Sequence, residues 1–329
     1  MLTVAVDDVA RMRDSLFFEG EQERRKLSRF WALLILAAMI ASAGIAADST
    51  ATVIGAMIVA PLMTPILGIV LAITLGDRRN LLYSCLLVLA GAVSVIAIGW
   101  LFGHLTSVDI VAATNSQVAG RVNPRLVDLA AAIATGAVGA FALVRDDVGD
   151  TLPGVAIAIS LVPPLAVVGL TLESGAGDEA KGALLLFLTN VAAILVMGVA
   201  VMGIYRVRHT ALAASTPTAK LASRRYPLLL VIALFVIVAI PLAISGRRYT
   251  ESTLTTEQVT TIATDWTATA DWDVVSVRLV DDEVVVRAVG PLPGPDPDTF
   301  RDMLDERGQA DTDVRVELVP EQRVSLPAD

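Results

Sequence analysis

Seven long stretches without a charged side chain constrain this chain more than any other feature. They cover roughly 30–47, 49–76, 80–103, 129–144, 151–172, 182–205 and 226–246. A helix needs about 20 apolar residues to cross about 30 Å of hydrocarbon, and nearly all these runs reach or approach that length. The run at 129–144 is the shortest, with Arg125 and Asp128 at its entrance. Lipid offers backbone amides and carbonyls no partner, so such runs must close their hydrogen bonds internally as helices. The expected fold is an α-helical polytopic membrane protein with about seven transmembrane helices. The first run follows some thirty charge-rich residues and is too long for an h-region, so no cleavable signal peptide is expected. Cys85 is the single cysteine, which leaves no disulfide framework.

Two runs are broken by proline at matching places. The first reads Ile54-Gly55-Ala56-Met57-Ile58-Val59-Ala60-Pro61-Leu62-Met63-Thr64-Pro65, and the second Pro153-Gly154-Val155-Ala156-Ile157-Ala158-Ile159-Ser160-Leu161-Val162-Pro163-Pro164. A shift of 99 positions lays Gly55 on Gly154, Leu62 on Leu161 and Pro65 on Pro164. Interrupted hydrophobic segments at corresponding places in two halves point to a transporter's binding site. Three runs precede the polar stretch 104–128 and three follow it. An odd number per half turns the halves over, so two inverted three-helix repeats are expected at about 30–103 and 129–205, with a seventh span at 226–246.

Proline removes a backbone donor and clashes with the preceding turn, so Pro61, Pro65, Pro163 and Pro164 should break or kink their spans. Gly55, Gly68, Gly154 and Gly169 are expected to let neighbouring helices approach closely. A helix restarting after Pro65 or Pro164 would aim free amides and its positive dipole end at the break, an arrangement that suits an anion. The bland account is that these prolines are packing kinks. The polar residues near the breaks are Asp48, Ser49 and Thr50 in the turn before span two, Thr64 and Ser160 in the breaks, and Asn190 inside span six. Asp48 fits a helix cap better than a relay carboxylate. Asn190 suits a helix-to-helix hydrogen bond as well as a substrate contact.

Lysine and arginine orient the chain. With the N-terminus inside, segments 1–29, 77–79, 145–150 and 206–225 hold 14 basic residues and the outer loops hold three: Arg121, Arg125 and Lys181. That bias predicts a cytoplasmic N-terminus and an extracytoplasmic C-terminal domain, although Arg247 and Arg248 directly after the last span oppose it. Residues 1–29 are expected to form a cytoplasmic amphipathic segment on the inner membrane surface, with Arg24, Arg25, Lys26 and Arg29 near anionic lipid head groups. The simpler role for that basic cluster is a topology anchor.

Residues 247–329 differ in kind, with 18 acidic and 8 basic side chains. Helical spacing at 255–268, valine-rich segments on either side of Asp281-Asp282, a short helix near 295–308 and an alternating run at 313–319 predict a small αββαβ soluble domain. Such a domain, of about 80 residues with open strand edges, is expected to gain from pairing with copies of itself, hence a homo-oligomer. Its acidity reads as solubility on the outer face.

The chain has no glycine-rich phosphate loop with lysine, no paired cysteine and no histidine cluster. No enzyme, metal, cofactor or nucleic-acid reading follows. A retinal protein needs a Schiff-base lysine in its last span, and Lys26, Lys181 and Lys220 all lie elsewhere.

The run from Asp48-Ser49 through Ala60-Pro61-Leu62-Met63-Thr64-Pro65-Ile66 resembles the signature of an uncharacterised membrane family, domain of unknown function 389. The segments 152–158, 161–166 and Phe187-Leu188-Thr189-Asn190 are similar to that family's second half, so the resemblance covers about 30–205. It implies a bacterial or archaeal integral membrane protein and brings no substrate. The residues themselves lead to transport of a small solute, an anion being best suited, between the breaks in spans two and five. A channel, and a scaffold or sensor with a partner-binding outer domain, are the alternatives.

Overall fold

The computed structural model describes residues 4–106, 109–145, 161–214, 255–256, 258–280 and 283–321. The expected seventh span, and the part of the second motif that holds Gly154 and Ser160, lie outside them. The chain divides into two compact units, Met1–Gly246 and Arg247–Asp329.

The first unit is helical: α1 Val6–Leu16, α2 Glu23–Ala46, α3 Thr50–Val59, α4 Met63–Leu75, α5 Arg78–Leu105, α6 Ser116–Val122, α7 Leu126–Val144, α8 Val162–Glu173, α9 Gly177–Ile204 and α10 Val207–Ala214. Among the described residues, α2, α5, α7 and α9 are long and apolar enough to cross a membrane. The pair α3–α4, bent by 46°, makes a fifth span if counted as one. The apolar runs that the structure describes are therefore helical apart from the break at 60–62, as lipid burial demands.

Span ends follow local chemistry. Asp77 caps α5 by accepting from the Asn80 amide at 3.1 Å, and Asp128 reaches back to the Arg125 amide at 2.7 Å to open α7. Gly76 and Gly175 follow α4 and α8 in the left-handed region at φ 76° and 74°, which glycine adopts without a Cβ penalty.

Helices α4 and α8 form the centre. Every residue from Pro65 to Thr74, and from Val162 to Thr171, is buried. Both pack against α5 and α9. They begin 99 positions apart, as do α5 and α9, which are equal in length. The turns that follow α4 and α8 lie at opposite ends of the bundle. The α4–α5 turn meets the N-terminal region, through Asp77 with Arg13 (3.5 Å) and Asn80 with Glu19 (3.1 Å). The α8–α9 turn instead meets segment 109–122, where Ser174 accepts from the Ile110 amide at 3.0 Å and Glu179 from the Ala112 amide at 2.9 Å.

Close packing divides the glycines. A Cβ at Gly169 in α8 would collide with the Ile96 carbonyl of α5, and one at Gly99 would lie 2.7 Å from the Ala166 oxygen. A Cβ at Gly68 would lie 2.8 Å from Ser84 Oγ. Gly55 differs: it is exposed, and among the described residues a Cβ there would meet nothing within 4 Å.

The apolar stripe of helix α1 is taken up by protein: Val9, Met12 and Leu16 are buried, as are the following Phe17 and Phe18, and the helix packs on α4, α7 and α10. Thr210 of α10 donates to the Val4 carbonyl at 3.2 Å. Burial of apolar area contributes about 25 cal/mol per Å², and an amphipathic stripe obtains it from a protein groove as readily as from a membrane surface.

In the second unit, residues 258–268 are helical (α11), followed by β1 Asp273–Val280, β2 Glu283–Gly290, α12 Pro297–Glu306 and β3 Val314–Pro320. The sheet is mixed: β1 pairs antiparallel with the central β2, and β3 runs parallel to β2. The expected αββαβ order is found. Trp266 stacks on Phe300 with ring centroids 4.5 Å apart, over a core that includes Val259, Ile262, Val284, Val286 and Leu304.

Candidate functional site: a cleft at the helix break

The break between α3 and α4 has one direct cause. Ala60 ends α3 in an extended conformation (ψ 125°), as a residue ahead of proline prefers, and Pro61 occupies the gap. Contrary to expectation, Pro65, Pro163 and Pro164 do not precede the restarting helices. They lie in the first turns, since α4 starts at Met63 and α8 at Val162. First-turn amides have no helical partner anyway, so proline is tolerated there.

This placement alters what the helix starts can offer an anion. Pro163 and Pro164 carry no amide hydrogen, and in α4 Pro65 has none while the Thr64 amide already donates to the Pro61 carbonyl at 3.2 Å. Few first-turn amides remain.

A cavity of about 870 Å³ opens at the break. Residues 57–64 form one wall, and Leu161 and Val162 at the start of α8 touch it as well. Asp14, Ser15, Phe17 and Phe18 contribute from the N-terminal region. The remaining wall is Gln22, just ahead of α2, and a single stripe of that helix: Arg25, Lys26, Arg29, Phe30 and Leu33. These positions recur at the three- and four-residue spacing of one helix face. Their cationic end adjoins α1, and their apolar end, with Phe30 buried, faces inward.

Of the candidate residues read from the sequence, Pro61 and Thr64 line this cavity. Gly55, Pro65, Pro163, Pro164 and Asn190 do not, although Asn190 is buried in α9. Asp48, Ser49 and Thr50 stand at the other end of α3, about 15 Å along its axis. There they serve a latch. Asp48, in the left-handed region at φ 49°, accepts from the Ser116 hydroxyl at 2.7 Å and the Gln117 amide at 3.1 Å. Gln117 Nε2 donates to Thr50 Oγ1 at 2.8 Å, and Asn115 Nδ2 donates to the Ile45 carbonyl at 2.7 Å. Ser49 caps α3. Asp48 thus reaches the start of α6, whose own N-cap is Asn115. Segment 109–122 ties the α2–α3 turn to the α8–α9 turn.

The Ser116 hydroxyl holds the Asp48 carboxyl below its usual value of 3.8; slight desolvation opposes this and the Gln117 amide adds to it. A carboxyl with a depressed folded pKa stabilises the fold above its unfolded value and loses that contribution as pH falls through the folded one. The latch should therefore be intact at neutral pH and weaken below about pH 4. Replacing two of its anchors, D48N with N115A, is expected to speed amide exchange across 109–122 at least tenfold at neutral pH. Unchanged protection would remove the latch.

From sequence alone the basic cluster at 24–29 reads as a topology anchor or a contact to lipid head groups. Periodicity alone placed Arg25, Lys26 and Arg29 with Phe30 and Leu33 on one stripe, but nothing in it indicated that the stripe meets the break.

Comparison with known proteins adds a family resemblance. The family model described as "Domain of unknown function (DUF389)" matches residues 57–196. The matched stretch contains the break and both buried half-helices, α4 and α8, while the α2 stripe precedes it. The uncharacterised protein MJ0678 of Methanocaldococcus jannaschii is 33% identical over 173 residues, which is 53% of this chain and 53% of that protein. The chain thus spans about half the length of the relative it matches. No solved structure matches the chain.

Proposed function

We propose that the chain is a non-enzymatic membrane transport protein that moves a small solute through the cleft between its broken helices. One observation carries this reading: a single cavity touches both half-helix starts, 62–64 and 161–162, whose helices begin 99 positions apart. Two inverted three-helix repeats account for that spacing, for the equal lengths of α5 and α9, and for the turns after α4 and α8 lying at opposite ends. Non-helical backbone at membrane depth belongs where it lines a cavity, and transporters of inverted-repeat design bind substrate at such breaks. The test is solute uptake into liposomes by P61A beside P65A.

The end carrying α1, Arg78 and Arg79 faces the cytoplasm of a cell membrane in this reading, and the end latched by 109–122 faces outward. With a seventh span at 226–246, the acidic unit lies outside. Protease added to cells with a permeabilised outer barrier should then remove 247–329 and spare 206–225, and a protected tail would count against seven spans. The chain is further proposed to self-associate through the open edges of β1 and β3. Light scattering of a detergent-solubilised, tail-intact sample should give at least twice the monomer mass; a monomer would sink the idea.

A further inference from the structure

Around the mouth of the cleft three basic side chains have acidic partners. Arg11 pairs with Asp8 at 3.3 Å, Arg13 with Glu19 at 3.2 Å and Lys26 with Asp14 at 2.9 Å. Arg25 and Arg29 differ. Both line the cavity, both are exposed, and among the described residues neither has a carboxylate partner. They stand four apart on α2, so their Cβ atoms are about 6 Å from each other. Two guanidinium forks at that spacing can converge on one tetrahedral oxyanion with several charge-assisted hydrogen bonds. Asp14, the carboxylate on the cavity wall, is engaged by Lys26, so an arriving anion meets little repulsion. Directly inward, the same stripe turns apolar at Phe30 and Leu33. Low-dielectric walls beside cations concentrate the attraction for an anion at the mouth.

We infer that Arg25 and Arg29 form an oxyanion site at the mouth of the cleft, taking a phosphate- or sulfate-type group. The half-helix starts, poor in free amides, are not its basis. The inference deepens the transport reading and rests on it for its purpose, but binding is measurable without flux. A phosphate-type group could arrive free in solution or as the head of an anionic lipid, with its chain against Phe30 and Leu33.

The experiment compares three double variants of the full chain. R25Q/R29Q removes the site. R24Q/R79Q removes the same charge from exposed arginines at the same end of the bundle, off the cavity wall. R25K/R29K keeps the charge needed for insertion but loses the forks. Calorimetric titration with inorganic phosphate in neutral detergent forms one arm. The other is retention of phosphatidylglycerol from mixed phosphatidylglycerol–phosphatidylcholine nanodiscs, read by mass spectrometry. In the arm where wild type binds, R25Q/R29Q should weaken binding at least tenfold, R25K/R29K severalfold, and R24Q/R79Q less than twofold. A response to phosphate marks the free anion; a response to phosphatidylglycerol alone marks the lipid head. Equal losses in R25Q/R29Q and R24Q/R79Q would reduce the site to diffuse surface charge. Absence of wild-type binding in both arms also overturns it. Either failure leaves the transport reading to the Pro61 experiment.

Discussion

Replacing Gly169 with leucine is expected to prevent the helical unit from assembling. Helices α5 and α8 touch backbone to backbone at this point. A Cβ on Gly169 would collide with the Ile96 carbonyl and lie 2.6 Å from the Trp100 amide nitrogen and 2.9 Å from the Gly99 carbonyl carbon. None of these atoms can swing aside as a side chain would. Gly99 faces the same crossing from the other side, 3.3 Å from the Gly169 Cα by its own hypothetical Cβ. Overpacking in a tight core costs about 1–3 kcal/mol when neighbours can adjust. Here the helices must separate, so even G169A should cost at least that much and G169L more. Small residues at such crossings are what let membrane helices pack by dispersion and weak polar contacts. Gly55→Ala is the control. It sits in a helix with open space around it, so removing glycine's excess chain entropy should stabilise by roughly 0.5–1 kcal/mol. Thermal unfolding in mild detergent, followed by size-exclusion profile, distinguishes the two. A monodisperse G169L protein with a wild-type midpoint would contradict the close crossing.

Pro61→Ala is expected to cut solute flux at least tenfold while leaving insertion intact. Pro61 forces Ala60 out of the helical region and separates α3 from α4, which are bent by 46°. Alanine at 61 restores an amide and lifts that restriction. Helix can then continue from α3 through residues 60–62 into α4, keeping only the kink that Pro65 imposes once it is an interior proline. Closing the gap re-aims Leu62, Met63 and Thr64 relative to the cavity they line. P65A and P163A/P164A make a sharp comparison. Their prolines occupy first-turn positions where the backbone is already helical, so alanine changes little and flux should stay within twofold. Equal flux in P61A and wild type would demote the break to a packing kink, and a scaffold role would then lead.

Much of this was legible from residue order. Long uncharged runs become helices because lipid leaves the backbone no other way to pair its polar groups. Pro61 marked the break because its ring acts on the residue before it wherever it stands. The 99-residue offset of the two motifs reappears in the starts of α4 and α8. In the acidic unit, alternation in β2 and turn residues before α12 were strong enough to define αββαβ.

Partner choice was not legible. Hydropathy measures transfer out of water, and lipid chains are as apolar as leucine, so it cannot distinguish a face meeting lipid from one meeting another helix. Gly55 and Gly169 look alike in sequence, yet one faces open space and the other a backbone. The stripe of α1 reads equally as membrane-bound or docked, and only packing against α4, α7 and α10 decides. Asp48 to Thr50 stand beside the first motif in the chain but lie a helix length from the break, tied to 109–122 by hydrogen bonds between residues 67–69 positions apart. Local chemistry thus determined which segments are helices and where one of them stops. The tertiary structure alone decided that Arg25 and Arg29 face that stop, because which groups meet across a bundle depends on long-range packing that no local periodicity encodes.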